Sequence, residues 1–262
     1  MKNVKQGFLE RISSPEDKLF ISKILDQIQL CTKYHERRYT DFLDPRQQGL
    51  LQKNLPNMND VKFDFYGGYE EAERKMAVFF PDYMESDGEE FPIALLEITG
   101  YQVSRLSHRD FLGAILGLGI KREKIGDIII HNDVCYCFCS HDIKDYIVMN
   151  LKKVGSLTVR VRETVLEDVI LPEKKYKMIQ GTVSSLRLDS VISTGLGESR
   201  NKSVAYIQSE KVHVNWEPVT SPSYKVNEGD VISVRGHGRM QVDRVGGLTR
   251  KGRISIIIKR YI

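Results

Sequence analysis

From Ile93 onward the hydrophobic pattern switches between strand and helix in an order that few folds satisfy. Residues 91–99 read as a strand, and SHRDFLGAILGLGI, beginning at Ser107, as a helix. IGDIIIHN and VCYCFCS are two further strands meeting at a turn through Asn132 and Asp133. HDIKDYIVMNLKKVG reads as a second helix with a glycine C-cap, and SLTVRVRETVL as a last strand. Strand, helix, strand, strand, helix, strand is the split βαβ order of ferredoxin-like folds, expected here within a domain of residues 75–170. An earlier strand over residues 75–81 joins it through the acidic loop MESDGEE. RNA-recognition modules share this order, but a fold alone assigns no function. The ring signature with which such modules stack bases is missing from the two expected central strands. Tyr136 and Phe138 share one strand face and are expected to pack in a core.

Cys135, Cys137 and Cys139 alternate through CYCFC and so lie together on one face of their strand. Neighbours two apart on a strand are poorly placed to form a disulfide with each other. The spacing lacks the two-residue gap of zinc knuckles, so no metal is expected, although a site completed by His141 or His131 is an alternative. Small buried thiols are the better reading.

Upstream, residues 1–74 read as a mostly helical region. Ser14-Pro15-Glu16-Asp17 supplies a cap, a proline at the first helical position and acids in the first turn. Leu19, Phe20, Ile24, Leu25, Ile28 and Cys31 then recur near a helical period, and Asp44-Pro45 opens a shorter helix. The intervening KYHERRYTDF could contact RNA through its basic and aromatic residues or simply connect two helices. The first residues, MKNVKQGFLE, lack the apolar core of a signal peptide. No apolar run approaches the roughly 18–20 residues that span a bilayer, so a cytoplasmic protein without a membrane partner is expected.

Charge separates the last third from the rest. Residues 181–262 hold 13 Lys and Arg against 7 Asp and Glu, a net of +6, whereas the remainder carries 26 against 28. A localised basic surface attracts a polyanion in a way that the overall +4 would not. Preceding it, LPEKKYKMIQG reads as a charged connector marking a boundary over residues 172–180.

Within that basic third, Leu186, Leu188, Val191 and Ile192 fall on one helical face, leaving Arg187 and Ser190 outward, before Gly195 and Gly197 break the helix. Ser199 is a good N-cap for a second helix with Val204 and Ile207 on its apolar face. Arg200 and Lys202 occupy its first turn, the wrong end for a cation if the helix dipole acts alone. An anion bound there would resolve the conflict, because backbone N–H groups and both side chains would converge on one phosphate. The alternative is that Arg200 pairs with Glu198 or Asp189 and serves only the surface. Two short strands follow, over residues 211–215 and 230–235.

The pieces RLD from Arg187, Ser199-Arg200, Ala205, VHVN from Val212, Pro222-Ser223 and EGDVISVRG from Glu228 resemble, in order and over about 55 residues, the alpha-L RNA-binding domain named after ribosomal protein S-four. The resemblance implies a small α/β domain over 181–262 that grips bent or paired RNA through phosphate contacts. It implies an RNA face of Arg187, Ser199, Arg200 and Lys202, with Asp189 orienting an arginine; Lys211 and Arg235 are further candidate RNA contacts. Glu210 stands where the family often has glycine. Beyond the motif a strand pair ends the chain, alternating through Ile254, Ile256 and Ile258. Its turn carries Arg250 and Lys251, which either extend the phosphate-binding surface or are simply solvated.

Catalytic signatures are weak. SHRD at Ser107 is superficially similar to the H-R-L-D loop of pseudouridine synthases, yet its leucine is missing and its flanks are helical. Ser107 and Asp110 are better explained as a helix cap and its partner three residues on. Neither Gly117-Leu-Gly119 nor Gly195-Leu-Gly197 lies between a strand and a helix, where a cofactor-binding loop belongs. A non-enzymatic protein without cofactor or small-molecule substrate is expected.

Arg105, His108, Arg109, Lys121 and Arg122 flank both ends of the apolar helix and form a second candidate surface for RNA or a partner. That stretch, FYGGYEEAER from Phe65 and the S-four-type end together resemble the bacterial YlmH family over nearly the whole chain. The resemblance implies an α+β protein in three parts: helical N-terminal region, RNA-recognition-like middle domain and S-four-type end. It also implies a ribosome-associated RNA binder, engaging the large subunit together with tRNA and linked to rescue of stalled translation. Family genes tend to lie near cell-division genes, which leaves an adaptor docking through the N-terminal region as a further alternative, beside an RNA-modifying enzyme of pseudouridine synthase type.

Overall fold

The computed structural model describes residues 10, 12, 14–55, 60–84, 91–169 and 175–262. Residues 1–9, most of the MESDGEE loop (85–90) and the start of the connector (170–174) lie outside the described residues. The chain forms two compact units, Met1–Pro172 and Glu173–Ile262.

In the first unit, helix α1 spans Pro15–Tyr34, and its Ser14 cap accepts the Asp17 N–H at 3.4 Å. It buries Ile21, Ile24, Leu25, Ile28 and Cys31, while Leu19 stays 61% exposed, outside that stripe. Helix α2, Pro45–Asn54, starts with a reciprocal cap between Asp44 and Gln47. The connection between them contains a short strand, β1 (Arg38–Tyr39). It pairs antiparallel with β3 (Met76–Pro81), which pairs in turn with β2 (Val61–Tyr66). The strand expected near residues 75–81 therefore forms, but its partners are these two and none of the strands beyond residue 91. Burial explains it: Ala77 and Phe79 pack in the core of α1, and Met76 in a second core with Phe42, Leu95, Tyr136 and Phe138. A strand covered on both sides reads as a continuous apolar run.

The ferredoxin-like order appears as expected. Ile93–Thr99 (β4), His108–Leu116 (α3), Ile125–His131 (β5), Val134–Ser140 (β6), Lys144–Asn150 (α4) and, after a small hairpin, an edge strand Arg160–Thr164 follow one another. The sheet runs β5, β6, β4, then Arg160–Thr164, all antiparallel. Two boundaries differ from the sequence reading. Helix α4 ends at Asn150, and Gly155 (φ +57°) turns a hairpin of Lys153–Val154 (β7) with Leu157–Thr158 (β8) rather than capping a helix. The last strand is interrupted accordingly, and its sheet portion is β9, Arg160–Thr164.

The three cysteines of β6 are fully buried against Phe111, Ile115 and Ile147 of the two helices. Burial pushes the Cys137 thiol up to about 12, which suits inert packing rather than redox or metal chemistry. Among the described residues there is no cluster of three His, Cys, Asp or Glu that could hold a metal. Tyr136 and Phe138 turn to the opposite sheet face, where Tyr69 stacks on Phe138 at 5.1 Å and Phe42 fills the space over Gly126. A Cβ on Gly126 would lie 2.7 Å from the Phe42 ring. The string FYGGYEEAER clamps this cover in place. Asp127 accepts hydrogen bonds from Tyr69 Oη (2.7 Å) and from the Glu73 and Arg74 amides, and the Arg74 guanidinium donates to the Phe42 and Ile125 carbonyls. The sheet face that RNA-recognition modules offer to bases is thus closed by the protein itself, with Phe138 1% exposed.

The second unit is a six-stranded antiparallel sheet with two helices on one face. Its strands are Tyr176–Val183 (β10), Val212–Val214 (β11), Glu217–Pro218 (β12), Val231–Val234 (β13), Gly238–Leu248 (β14) and Ile254–Tyr261 (β15). They lie in the order β10-β15-β14-β13-β11-β12. Most of the expected connector is therefore a strand, paired with β15 from Tyr176↔Tyr261 to Val183↔Ile254. Helices α5 (Leu188–Leu196) and α6 (Arg200–Gln208) bury Leu188, Val191, Ile192 and Ile207 against Met240, Val242, Ile256 and Ile258. Gly195 lies inside α5, where a Cβ would meet Met240 Sδ at 2.5 Å, so only Gly197 (φ +70°) ends that helix.

Candidate nucleic-acid interface

The interface is built where the two helices of the second unit meet. Arg187 sits just before α5 as its N-cap, not within it, and Ser190 is buried rather than outward. The residue between them organises the site. Asp189 is 2% exposed, although carboxylates are rarely buried without partners. Its Oδ1 and Oδ2 accept from Arg187 Nε (3.3 Å) and Nη2 (3.1 Å). Oδ2 also accepts from Arg200 Nε (3.0 Å) and Nη2 (2.9 Å), and Ser190 Oγ donates to Oδ1 at 3.2 Å. Burial works against the charged form of Asp189, but the two guanidiniums outweigh it and hold the carboxyl below its ordinary value.

This geometry settles how a cation can stand at the positive end of α6. The buried carboxylate of the preceding helix faces it. Yet neither arginine is consumed by the pair: their side chains are 39% and 51% exposed, and each spends one edge of its guanidinium on Asp189. Five N–H donors on a planar fork leave the other edge available to a phosphate. Glu198, the other expected partner of Arg200, is taken instead by Tyr206 Oη at 2.8 Å and lies 4.0 Å from His237 Nδ1.

Ser199 caps α6 by accepting the Lys202 N–H at 3.4 Å, and Lys202 is exposed beside it. Lys211 and Arg235 are exposed neighbours, joined by a backbone hydrogen bond from Arg235 N to the Lys211 carbonyl. Arg250 and Lys251 occupy the exposed tip of the β14–β15 hairpin. Ile254 pairs with Val183, so this tip lies at the sheet end from which the chain leads into Arg187. Glu210 has φ +56°, which explains why glycine suits its position: the chain turns there through the left-handed region.

The second candidate surface is less uniform. Arg105, His108, Arg109 and Lys121 are exposed, but Arg122 is half-buried, with its Nη1 donating to the Ile125 carbonyl. Asp110 accepts from both the N–H (2.8 Å) and the hydroxyl (2.7 Å) of Ser107, the capping role expected for it. The backbone hydrogen bond from Ser107 is the largest influence keeping its carboxyl acidic. Sequence reasoning missed the buried, shared position of Asp189. The signal that could have found it is an acid two residues after a capping arginine, next to Leu188 in the first turn of an apolar helix.

Comparison with known proteins covers most of the chain segment by segment. The family profiles "YlmH, N-terminal", "Putative RNA-binding domain in YlmH" and "S4 domain" match residues 16–84, 86–168 and 186–232. A curated relative, "Ribosome-associated protein quality control protein P2" of Bacillus subtilis, is 34% identical over 246 residues, covering 94% of this chain and 95% of that protein. The small ribosomal subunit protein uS4 of Marinobacter nauticus is 40% identical over 63 residues, 24% of this chain and 31% of that protein. A solved structure, "Cell division protein ylmH from Streptococcus pneumoniae", is similar at a TM-score of 0.52 and 25% identity, covering 61% of this chain and 98% of that one.

Proposed function

This chain belongs to the YlmH family, and on that footing we propose that it is a non-catalytic RNA-binding protein of the ribosome. Its target in this reading is structured ribosomal RNA or tRNA at the large subunit, and its task the rescue of stalled translation in the cytoplasm. Support for the ribosomal setting is the similarity to a ribosome-associated quality control protein over nearly its full length. The observation that carries RNA binding is the pair Arg187 and Arg200, fixed side by side on one buried carboxylate with their outer edges exposed. Ser199, Lys202, Lys211, Arg235, Arg250 and Lys251 complete the proposed contact set around that pair. Arg105, His108, Arg109, Lys121 and Arg122 form a secondary surface in the same reading.

Division of labour follows the three segments: residues 1–74 and 75–170 build the first unit, and 181–262 hold the RNA. What favours a binder over an RNA-modifying enzyme is that the carboxylate of SHRD is engaged by its own helix cap. The test is co-sedimentation with ribosomes across a salt series. Arg187→Ala and Arg200→Ala should each lower the affinity and flatten its salt dependence by roughly one phosphate contact. Unchanged binding by both variants would sink the phosphate role of the pair.

A further inference from the structure

The face of the C-terminal sheet turned away from the helices is not plain surface. Ile256 and Ile258 are fully buried, so Ile257, Lys259 and Tyr261 of the same strand point to the other side. There Tyr261 stands opposite Tyr176, which is 49% exposed, and the Lys259 ammonium lies 5.4 Å from the centre of the Tyr176 ring. One strand further, Met240 pairs with Arg260, which puts Arg239 at the next step of that ladder on the outer face.

Arg239 lies 5.4 Å from the ring of Trp216, the sole tryptophan of the chain. Trp216 occupies an unfavourable place for its size. Val214 pairs with Glu217, so Asn215 and Trp216 form a two-residue hairpin turn with φ of +49° and +65°. Such a turn wants asparagine then glycine. Asn215 fulfils its part, donating to Asp230 Oδ1 at 2.8 Å and accepting the Val231 N–H at 2.9 Å. Trp216 does not, because a bulky side chain in the left-handed region is strained. It is half-buried and outside the hydrophobic core of the unit, so packing does not account for it.

We propose that this outer sheet face is a stacking platform for unpaired RNA bases, distinct from the arginine pair on the helix side. Trp216, Tyr176 and Tyr261 supply ring faces, while Arg239 and Lys259 supply positive charge for the backbone. Rings interleaved with cations are the combination that holds single strands without reading sequence. The cations select a polyanion over an apolar partner, and the pair of Lys259 with Asp243 holds its ammonium in place on this face. Four strand spacings separate Tyr176 from β11, about 19 Å in all, room for a short run of nucleotides.

This inference rests on the RNA-binding reading above, and the experiment separates the two. The full chain is titrated with a blunt RNA hairpin and with the same hairpin carrying an unpaired tail of about six uridines. The tail should add affinity and quench Trp216 fluorescence, whereas the blunt hairpin should leave that signal unchanged. Trp216→Gly, which also relieves the turn, and Tyr261→Ala should each weaken the tailed hairpin about ten-fold and leave the blunt one within about two-fold. Arg200→Ala should weaken both. A tail that adds nothing, or variants that bind both hairpins like wild type, overturns the platform; if those variants still lose ribosome co-sedimentation, the face docks a protein instead. Failure of the wild type to bind either hairpin overturns the RNA reading itself, and the platform with it.

Discussion

Asp189 and Arg200, eleven residues apart and on different helices, are joined by two hydrogen bonds of 3.0 and 2.9 Å to a single carboxylate oxygen. The same carboxylate holds Arg187, so one buried acid sets the direction of two exposed cations. Removing it separates positioning from charge. Asp189→Asn raises the net charge by one, and a purely electrostatic account expects tighter RNA binding. Positioning expects the opposite, a loss of about ten-fold, with a stability cost of about 1–3 kcal/mol from the lost charge-assisted bonds. Ribosome binding and urea unfolding of the variant decide between them.

The same acid fixes a pH dependence. Its folded value lies below its unfolded one, so its contribution to stability is complete above the unfolded value and disappears as pH falls through the folded one. The stability difference between wild type and Asp189→Asn should therefore stay constant from neutral pH down to about 5 and shrink only below about 4. A difference that already shrinks between pH 7 and 6 would contradict this assignment.

Glu210 holds a left-handed backbone at φ +56°. Glu210→Gly should stabilise the second unit by about 0.5–1 kcal/mol, since relief of the Cβ clash exceeds the added freedom of the unfolded chain. Thermal unfolding checks it, and ribosome binding should not fall, because no basic residue is touched.

At the hairpin tip, Arg250 and Lys251 are exposed beside the sheet end that leads into Arg187. If both meet phosphates, the double variant Arg250→Ala, Lys251→Ala should reduce the slope of log affinity against log salt by roughly 1.8. A slope unchanged within error assigns the tip to solvent.

What the sequence showed and what it hid follow from the range of the interactions. The Ser199 cap, the alternation of Cys135, Cys137 and Cys139 and the order of elements from Ile93 are local patterns, and they are legible. The strand Tyr176–Val183 was not, because KYKMIQ places Tyr176 and Met178 on an exposed face and its partner lies some eighty residues on. Two strands joined only by distant pairing leave little local trace. Val61–Tyr66 is hidden for a related reason: it is defined by its ladder to Met76–Pro81 and by α1 beneath it. Asp189 was read as an arginine's partner, but its burial depends on how α5 and α6 pack, which no single helix pattern contains.

The interlock of Phe42 with Gly126 and Phe138 has a practical consequence for anyone cutting this protein into pieces. Truncation near residue 60 or 74 would strip the lid from the sheet of residues 93–164, leaving Tyr136 and Phe138 as an oily, sticky plane. Such a fragment would be expected to aggregate or to capture partners it never meets intact. Any activity gained or lost by it would report on that wound rather than on the deleted segment. The scissors belong near residue 172, where the chain divides into its two units.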